Sequence, residues 1–128
     1  MSKKTTDQIA ARLVELCRTG AFDQAMEELY APDAWQHEAI SMPGKPQTVR
    51  GKAALREAAK QWNEATQVHG CWIEGPWPCG DRFIVTMEID VTHRAGPMAG
   101  QRLRMKEACL YETRDGFITG ATFFYGMG

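Results

Sequence analysis

The chain reads as an α+β domain with helices laid on one face of a mainly antiparallel sheet. Three observations carry that expectation. Apolar residues recur at helical spacing through the first half, then alternate with polar ones at a period of two through the second. Gly-Asp and Asp-Gly turn signals separate the alternating stretches. The helices come first, and a meander of at least four strands follows.

Thr5 and Gln8 have the spacing of a capping box, and Ile9, Leu13 and Leu16 then recur until Gly20 stops the helix. Phe22, Ala25, Met26 and Leu29 predict a second, shorter amphipathic helix that Pro32 ends. An extended segment, Ala34 to Met42, leads into a loop marked by Pro43, Gly44 and Pro46. A third helix is expected from Lys52 to Ala65, with Leu55, Ala58, Ala59 and Trp62 as its inner stripe.

Val68 to Glu74 predicts a strand bounded by Pro76, Pro78 and the Gly80-Asp81 turn. Phe83, Val85, Met87, Ile89 and Val91 then alternate with Arg82, Thr86, Glu88, Asp90 and Thr92, the pattern of a long strand with one apolar face. A flexible turn over Arg94 to Gly100 precedes another strand. Its two rows are Leu103, Met105, Glu107, Cys109 and Tyr111 against Arg102, Arg104, Lys106, Ala108, Leu110 and Glu112. The Arg114-Asp115-Gly116 turn opens into a last strand, Phe117 to Tyr125. Strands of about ten residues twist strongly and curl. A curled sheet closed by helices encloses a cone, either filled with side chains or left as an apolar pocket.

At 128 residues the chain is expected to form one domain, residues 1–128, large enough to bury its own core. A net charge of −1, with acids and bases interspersed, gives no case for nucleic acid or an anionic membrane surface as partner. Arg12, Glu15 and Arg18 break the apolar stretch after Lys3 and Lys4, so no signal peptide is expected, and no run approaches the ~20 apolar residues of a membrane span. Cys17, Cys71, Cys79 and Cys109 are scattered without a CxxC pair, which predicts free thiols in a reducing cytoplasm. A Cys71–Cys79 bridge across a hairpin is the one disulfide to check. His69 and His93 lack a third donor at ligand spacing, and there is neither a Gly-rich phosphate loop nor a GxSxG elbow. Neither a metal nor a cofactor is expected.

Glu107 interrupts the apolar row of its strand. With a period of two that row faces the interior, and a carboxylate there must be paired, hydrogen-bonded or protonated, since a lone buried charge is very costly. It is the best single site candidate in the chain.

Four motifs fall in one order: Ala31-Pro32-Asp33-Ala34, Gly51-Lys52-Ala53-Ala54-Leu55, Gly80-Asp81-Arg82-Phe83, and Tyr111 to Ile118 running on to Phe123-Phe124-Tyr125. Their order and spacing, over nearly the whole chain, resemble the nuclear-transport-factor-2-like superfamily and particularly its SnoaL-like bacterial members. The resemblance implies a cone of three helices on a strongly curved, mainly antiparallel sheet, the cystatin-like architecture. It also implies a pocket at one end and a homodimer formed through the sheet. Ketosteroid isomerases, polyketide cyclases, epoxide hydrolases, dehydratases and noncatalytic proteins share this superfamily, so the fold alone does not assign a reaction.

In the isomerases a general-base carboxylate follows the second helix, in a motif similar to Asp33-Ala34-Trp35-Gln36-His37-Glu38, and Glu38 falls at its place. His37 competes with Glu38 for the pocket, because neighbours in an extended segment point to opposite faces. Glu107 falls near the acid that those enzymes keep protonated to support an oxyanion. Leu13 stands where they carry a tyrosine on the first helix, a departure that puts steroid isomerisation in doubt. The lining is expected from Ala121, Phe123 and Tyr125 on the last strand, with Trp62, Met87 and Met105 and, more loosely, Trp35, Trp72, Trp77 and Met42. Two functions stay open. One is a cofactor-independent isomerase, cyclase or hydrolase-type enzyme working by acid–base proton transfer on a hydrophobic small molecule. The other is a noncatalytic ligand-binding or dimerisation module.

Overall fold

The computed structural model describes residues 3–41 and 44–126; Met42, the expected end of the extended segment, and Pro43 lie outside the described residues. Three helices, α1 (Thr6–Arg18), α2 (Phe22–Leu29) and α3 (Lys52–Ala65), accompany six strands: β1 (Tyr30–His37), β2 (Thr48–Arg50), β3 (Thr66–Cys79), β4 (Arg82–His93), β5 (Arg102–Arg114) and β6 (Phe117–Phe124). They form one sheet in the order β2-β1-β6-β5-β4-β3. All neighbours are antiparallel except β1 and β6, which run parallel. The architecture is α+β with helices on an open, curved sheet, as expected.

Local chemistry explains the elements. The capping box on α1 is complete: Thr5 Oγ1 accepts from the Gln8 amide at 3.1 Å, and Gln8 Oε1 accepts from the Thr5 amide at 2.9 Å. Such a pair satisfies two amides that the helix would otherwise leave without partners. Ile9, Ala10, Leu13, Val14, Leu16 and Cys17 recur on one face and are buried, where α1 lies along β3. Asp115 and Gly116 both take positive φ, 54° and 87°, the backbone a two-residue hairpin needs to match the strand twist.

Two strands depart from expectation, in each case at prolines. β1 begins at Tyr30, directly after α2, and runs through Pro32. Its pairing with β6 is irregular between Tyr30 and Trp35, so the missing amide of Pro32 interrupts no regular ladder. β3 continues past Glu74 through Pro76 and Pro78 to Cys79. It is an edge strand, where one row of amides needs no ladder partner. All four cysteines are free, so the Cys71–Cys79 bridge does not form. Among the described residues no helix is long and apolar enough to cross a membrane.

The packed core has a direction. On the inner face Phe83, Val85, Cys109, Tyr111, Ile118 and Ala121 are fully or almost fully buried. Phe83 stacks on Tyr111 with ring centroids 5.0 Å apart, and Phe123 meets Tyr111 edge-on at 6.4 Å. The α1 N-terminus closes this end, tied to the β5–β6 hairpin by Thr6 and Thr113 hydroxyls 2.8 Å apart. Toward the other end burial falls away: Cys71, Ile89, Met105, Glu107 and Phe123 are all half-buried. α3 makes its close approaches to β1 and β2 at one edge and to β3 at the other. Only Leu55 of α3 is fully buried. The inner face of the sheet is therefore plugged at the hairpin end and opens beneath α3.

Candidate functional site

Sheet register assembles the site at the open end. Ile73 on β3 pairs with Met87 on β4, and Met87 pairs with Glu107 on β5. On the other side of β5, Ala108 pairs with Phe124 and Cys109 with Phe123. Continuing that register by one residue sets Tyr125 opposite Glu107, on the Ala121 and Phe123 row. The parallel β1–β6 pairing, Gln36 with Ala121 and His37 with Thr122, brings Glu38 alongside the end of β6. Tyr125 Oη donates to Glu38 Oε2 at 2.8 Å, a contact across 87 positions of sequence.

The backbone of Glu38 is clamped as well. Its amide donates to the Gln47 carbonyl at 2.8 Å, and Gln47 Nε2 donates to the Glu38 carbonyl at 2.9 Å. Gln47 carries no signal in the sequence for this role. It lies beyond an irregular loop, where no periodicity predicts which residue will face Glu38.

Glu107 has no ion-pair partner among the described residues. Its one side-chain contact is the Cys109 thiol, which donates to Oε1 at 3.7 Å. Burial, reinforced by the charge of Glu38, pushes the Glu107 carboxyl up to about 7, with the Cys109 contact opposing. Burial thus moves this inward acid toward its protonated form, and the thiol supplies one hydrogen bond. Burial also raises Cys71, with the charge of Glu107 adding to it, and raises Cys109 far above the usual thiol range. Neither thiol is an available nucleophile at neutral pH. Tyr125 is likewise raised by burial and by its bond to Glu38, so it stays a donor.

The expected residues divide. Glu38, Glu107, Tyr125, Phe123 and Met105 come together at the open end. His37 does not join them: its Nδ1 lies 2.6 Å from Thr48 Oγ1 on β2, and strand alternation turns it away from the face that Glu38 occupies. Trp62 is 37% exposed, its ring edge-on to His93 with centroids 6.3 Å apart. Met87 and Ala121 are buried in the core behind the acids. Trp72 and Trp77 stand on the outer face, where Arg104 lies 4.8 Å over the Trp72 ring. Trp35 covers Gly120 on β6, so closely that a Cβ at Gly120 would meet its ring at 2.2 Å. Cys71 and Ile89 were not singled out as lining, yet they flank the acids on β3 and β4; strand parity alone would have placed Ile89 there.

The molecule has two shallow depressions of about 400 Å³ each, and Glu107 contributes to the lining of one. One is the cleft between α2 and α3, lined by Asp23, Met26, Glu27, Arg56, Lys60 and Asn63. The other is on the outer face around Trp72, Glu74, Glu88, Lys106 and Phe124, with Thr86, Met87, Glu107 and Ala108 completing its lining. No group of three or more His, Cys, Asp or Glu side chains placed to hold a metal occurs among the described residues.

The profile of a family described as SnoaL-like domain matches residues 4–125. A candidate SnoaL-like polyketide cyclase from Mesorhizobium loti is 36% identical, with a TM-score of 0.87 over 94% of this chain and 99% of that one. A cystatin-like-fold protein of unknown function from Xanthomonas campestris superposes with a TM-score of 0.76 at 19% identity, over 95% of this chain and 91% of that one. A ketosteroid-isomerase-like-fold protein from Catenulispora acidiphila, bound to trimethylamine, gives 0.71 at 20% identity, over 96% and 88%. The last two likenesses concern the fold alone. No curated protein matches the chain.

Proposed function

The chain belongs to the SnoaL-like domain family, and we propose that it is a cofactor-independent enzyme that moves a proton next to a carbonyl of an uncharged hydrophobic small molecule. One observation carries this reading: an acid with its carboxyl raised to about 7 shares the open end of the cone with a second carboxylate held by Tyr125. Two acids whose environments separate their protonation are the arrangement that acid–base chemistry uses.

In the proposed reaction Glu38 removes a proton from the carbon beside the carbonyl. The C–H electron pair becomes the enolate double bond, and the carbonyl π pair moves onto oxygen. Protonated Glu107 donates to that oxygen as its charge develops. From the enolate the carbon skeleton has two outcomes. Where the substrate carries a β,γ double bond, the enolate is a dienolate and Glu38 returns the proton at its γ-carbon, shifting the double bond into conjugation and giving an isomer. Otherwise the enolate carbon attacks a second carbonyl to close a ring, and Glu38 returns the proton to the new alkoxide. The Mesorhizobium relative's description as a candidate polyketide cyclase supports the second outcome.

Charge supports the substrate class. The inner rows of β3 to β6 carry no Lys or Arg among the described residues, whereas Arg102, Arg104 and Lys106 stand on the outer row. A carboxylate or phosphate on the substrate would meet acids and no compensating cation. The test is exchange of the α-protons of 2-tetralone in deuterated buffer, followed by proton NMR. Acceleration over buffer that disappears in Glu38→Gln supports the reading; wild type no faster than buffer leaves only the noncatalytic one.

A specific observation also favours an assembly role. Trp72, Trp77, Ile84 and Phe124 are 49%, 53%, 41% and 53% exposed. All four project from the outer face, where an apolar patch of this kind commonly meets a partner. A second copy docked through the sheet is the assembly proposed for that face.

A further inference from the structure

Tyr125 stands just past the end of β6 and has one polar partner among the described residues, Oε2 of Glu38 at 2.8 Å. The Glu38 main chain is already held on both sides by Gln47, through bonds of 2.8 and 2.9 Å. Tyr125 holds one end of the Glu38 side chain. The other oxygen, Oε1, has no hydrogen-bond partner among the described residues. On the row beside Tyr125 stand Phe123 and, opposite it, Glu107.

We propose that Tyr125 is a positioning residue: its phenol O–H holds Oε2 of Glu38 in place and leaves Oε1 as the oxygen that takes the substrate proton. This rests on the proton-transfer reading of Glu38. It also gives the last described residues of the chain a function in the site rather than a place in its wall. A base held within hydrogen-bond reach of its proton gains from orientation what a freely rotating carboxylate loses. Apart from Tyr125, the titrating groups coupled to the charge of Glu38 are Glu107 and Cys109 on β5.

Tyr125→Phe keeps the ring and removes only the hydroxyl, so packing and donation can be separated. In 2-tetralone exchange, kcat should fall about tenfold or more while KM stays within about twofold, the split expected when orientation rather than substrate binding is lost. A wall residue would not divide kcat from KM in this way. If Glu38→Gln abolishes exchange but Tyr125→Phe leaves kcat intact, the positioning role is wrong and the proton-transfer reading survives. If wild type itself does not exceed buffer, the proton-transfer reading fails and the positioning role fails with it.

Discussion

Glu107→Gln should make the protein more stable at alkaline pH and leave it nearly unchanged in acid. The folded chain raises this carboxyl from 4.5 to about 7, chiefly by burial. Between those values the folded state binds more protons than the unfolded state, so stability falls as pH rises through the window and levels off above it. At ~1.4 kcal/mol per pH unit, the full rise corresponds to about 3 kcal/mol, an upper limit because Glu107 is only half-buried. Glutamine is close in shape to the protonated acid and removes the titration. Urea unfolding followed by tryptophan fluorescence, at pH 4.5 and at pH 8.5, measures the difference directly. The variant should gain about 2–3 kcal/mol on wild type at the higher pH relative to the lower. An identical offset at both values would show that Glu107 titrates as an ordinary surface acid, and the proton-donor role would fall with it.

Removing the charge at Glu38 tests the coupling between the two acids. Glu38→Gln should lower the Glu107 midpoint, read by carboxyl-carbon NMR, because that charge is the second cause of its elevation. An unchanged midpoint would mean that burial acts alone. On the outer face, Ile84→Lys puts a charge into the exposed apolar patch, and light scattering should report a monomer where wild type is a dimer; wild type already monomeric would refute the proposed assembly. Gly120→Ala forces its Cβ against the Trp35 ring at 2.2 Å. It should cost about 1–3 kcal/mol in urea unfolding as the ring is displaced, and a neutral result would mean that the ring moves freely.

The helices were legible because their signals are local. The bounds Lys52–Ala65 of α3 are as expected, since 3.6-residue spacing is a property of one segment; of its expected stripe only Leu55 is fully buried, and Trp62 is exposed. β4 and β5 were legible for the same reason, with alternation and the Asp115-Gly116 turn marking them. The prolines misled the reading of β1 and β3. A proline excludes a ladder hydrogen bond, but whether one is needed depends on neighbours. Pro76 and Pro78 sit on an edge strand, and Pro32 sits where the β1–β6 pairing is irregular. The short β2 has only three residues and no pattern to display.

For the site, sequence by itself determined that Glu107 stands in an apolar row and so faces inward, because alternation is a property of one strand. It also limited the neighbouring pair, since His37 and Glu38 cannot share a face. Which of the two turns inward was decided by tertiary structure, through the parallel pairing of β1 with β6. The Tyr125–Glu38 bond arises in the same way, joining residues 87 positions apart. No local signal encodes that contact, because it exists only once strands from opposite ends of the chain lie side by side. The charge state of Glu107 follows from the same assembly. A carboxyl's proton affinity responds to the surrounding dielectric and to nearby charge, and both are supplied by residues remote in sequence.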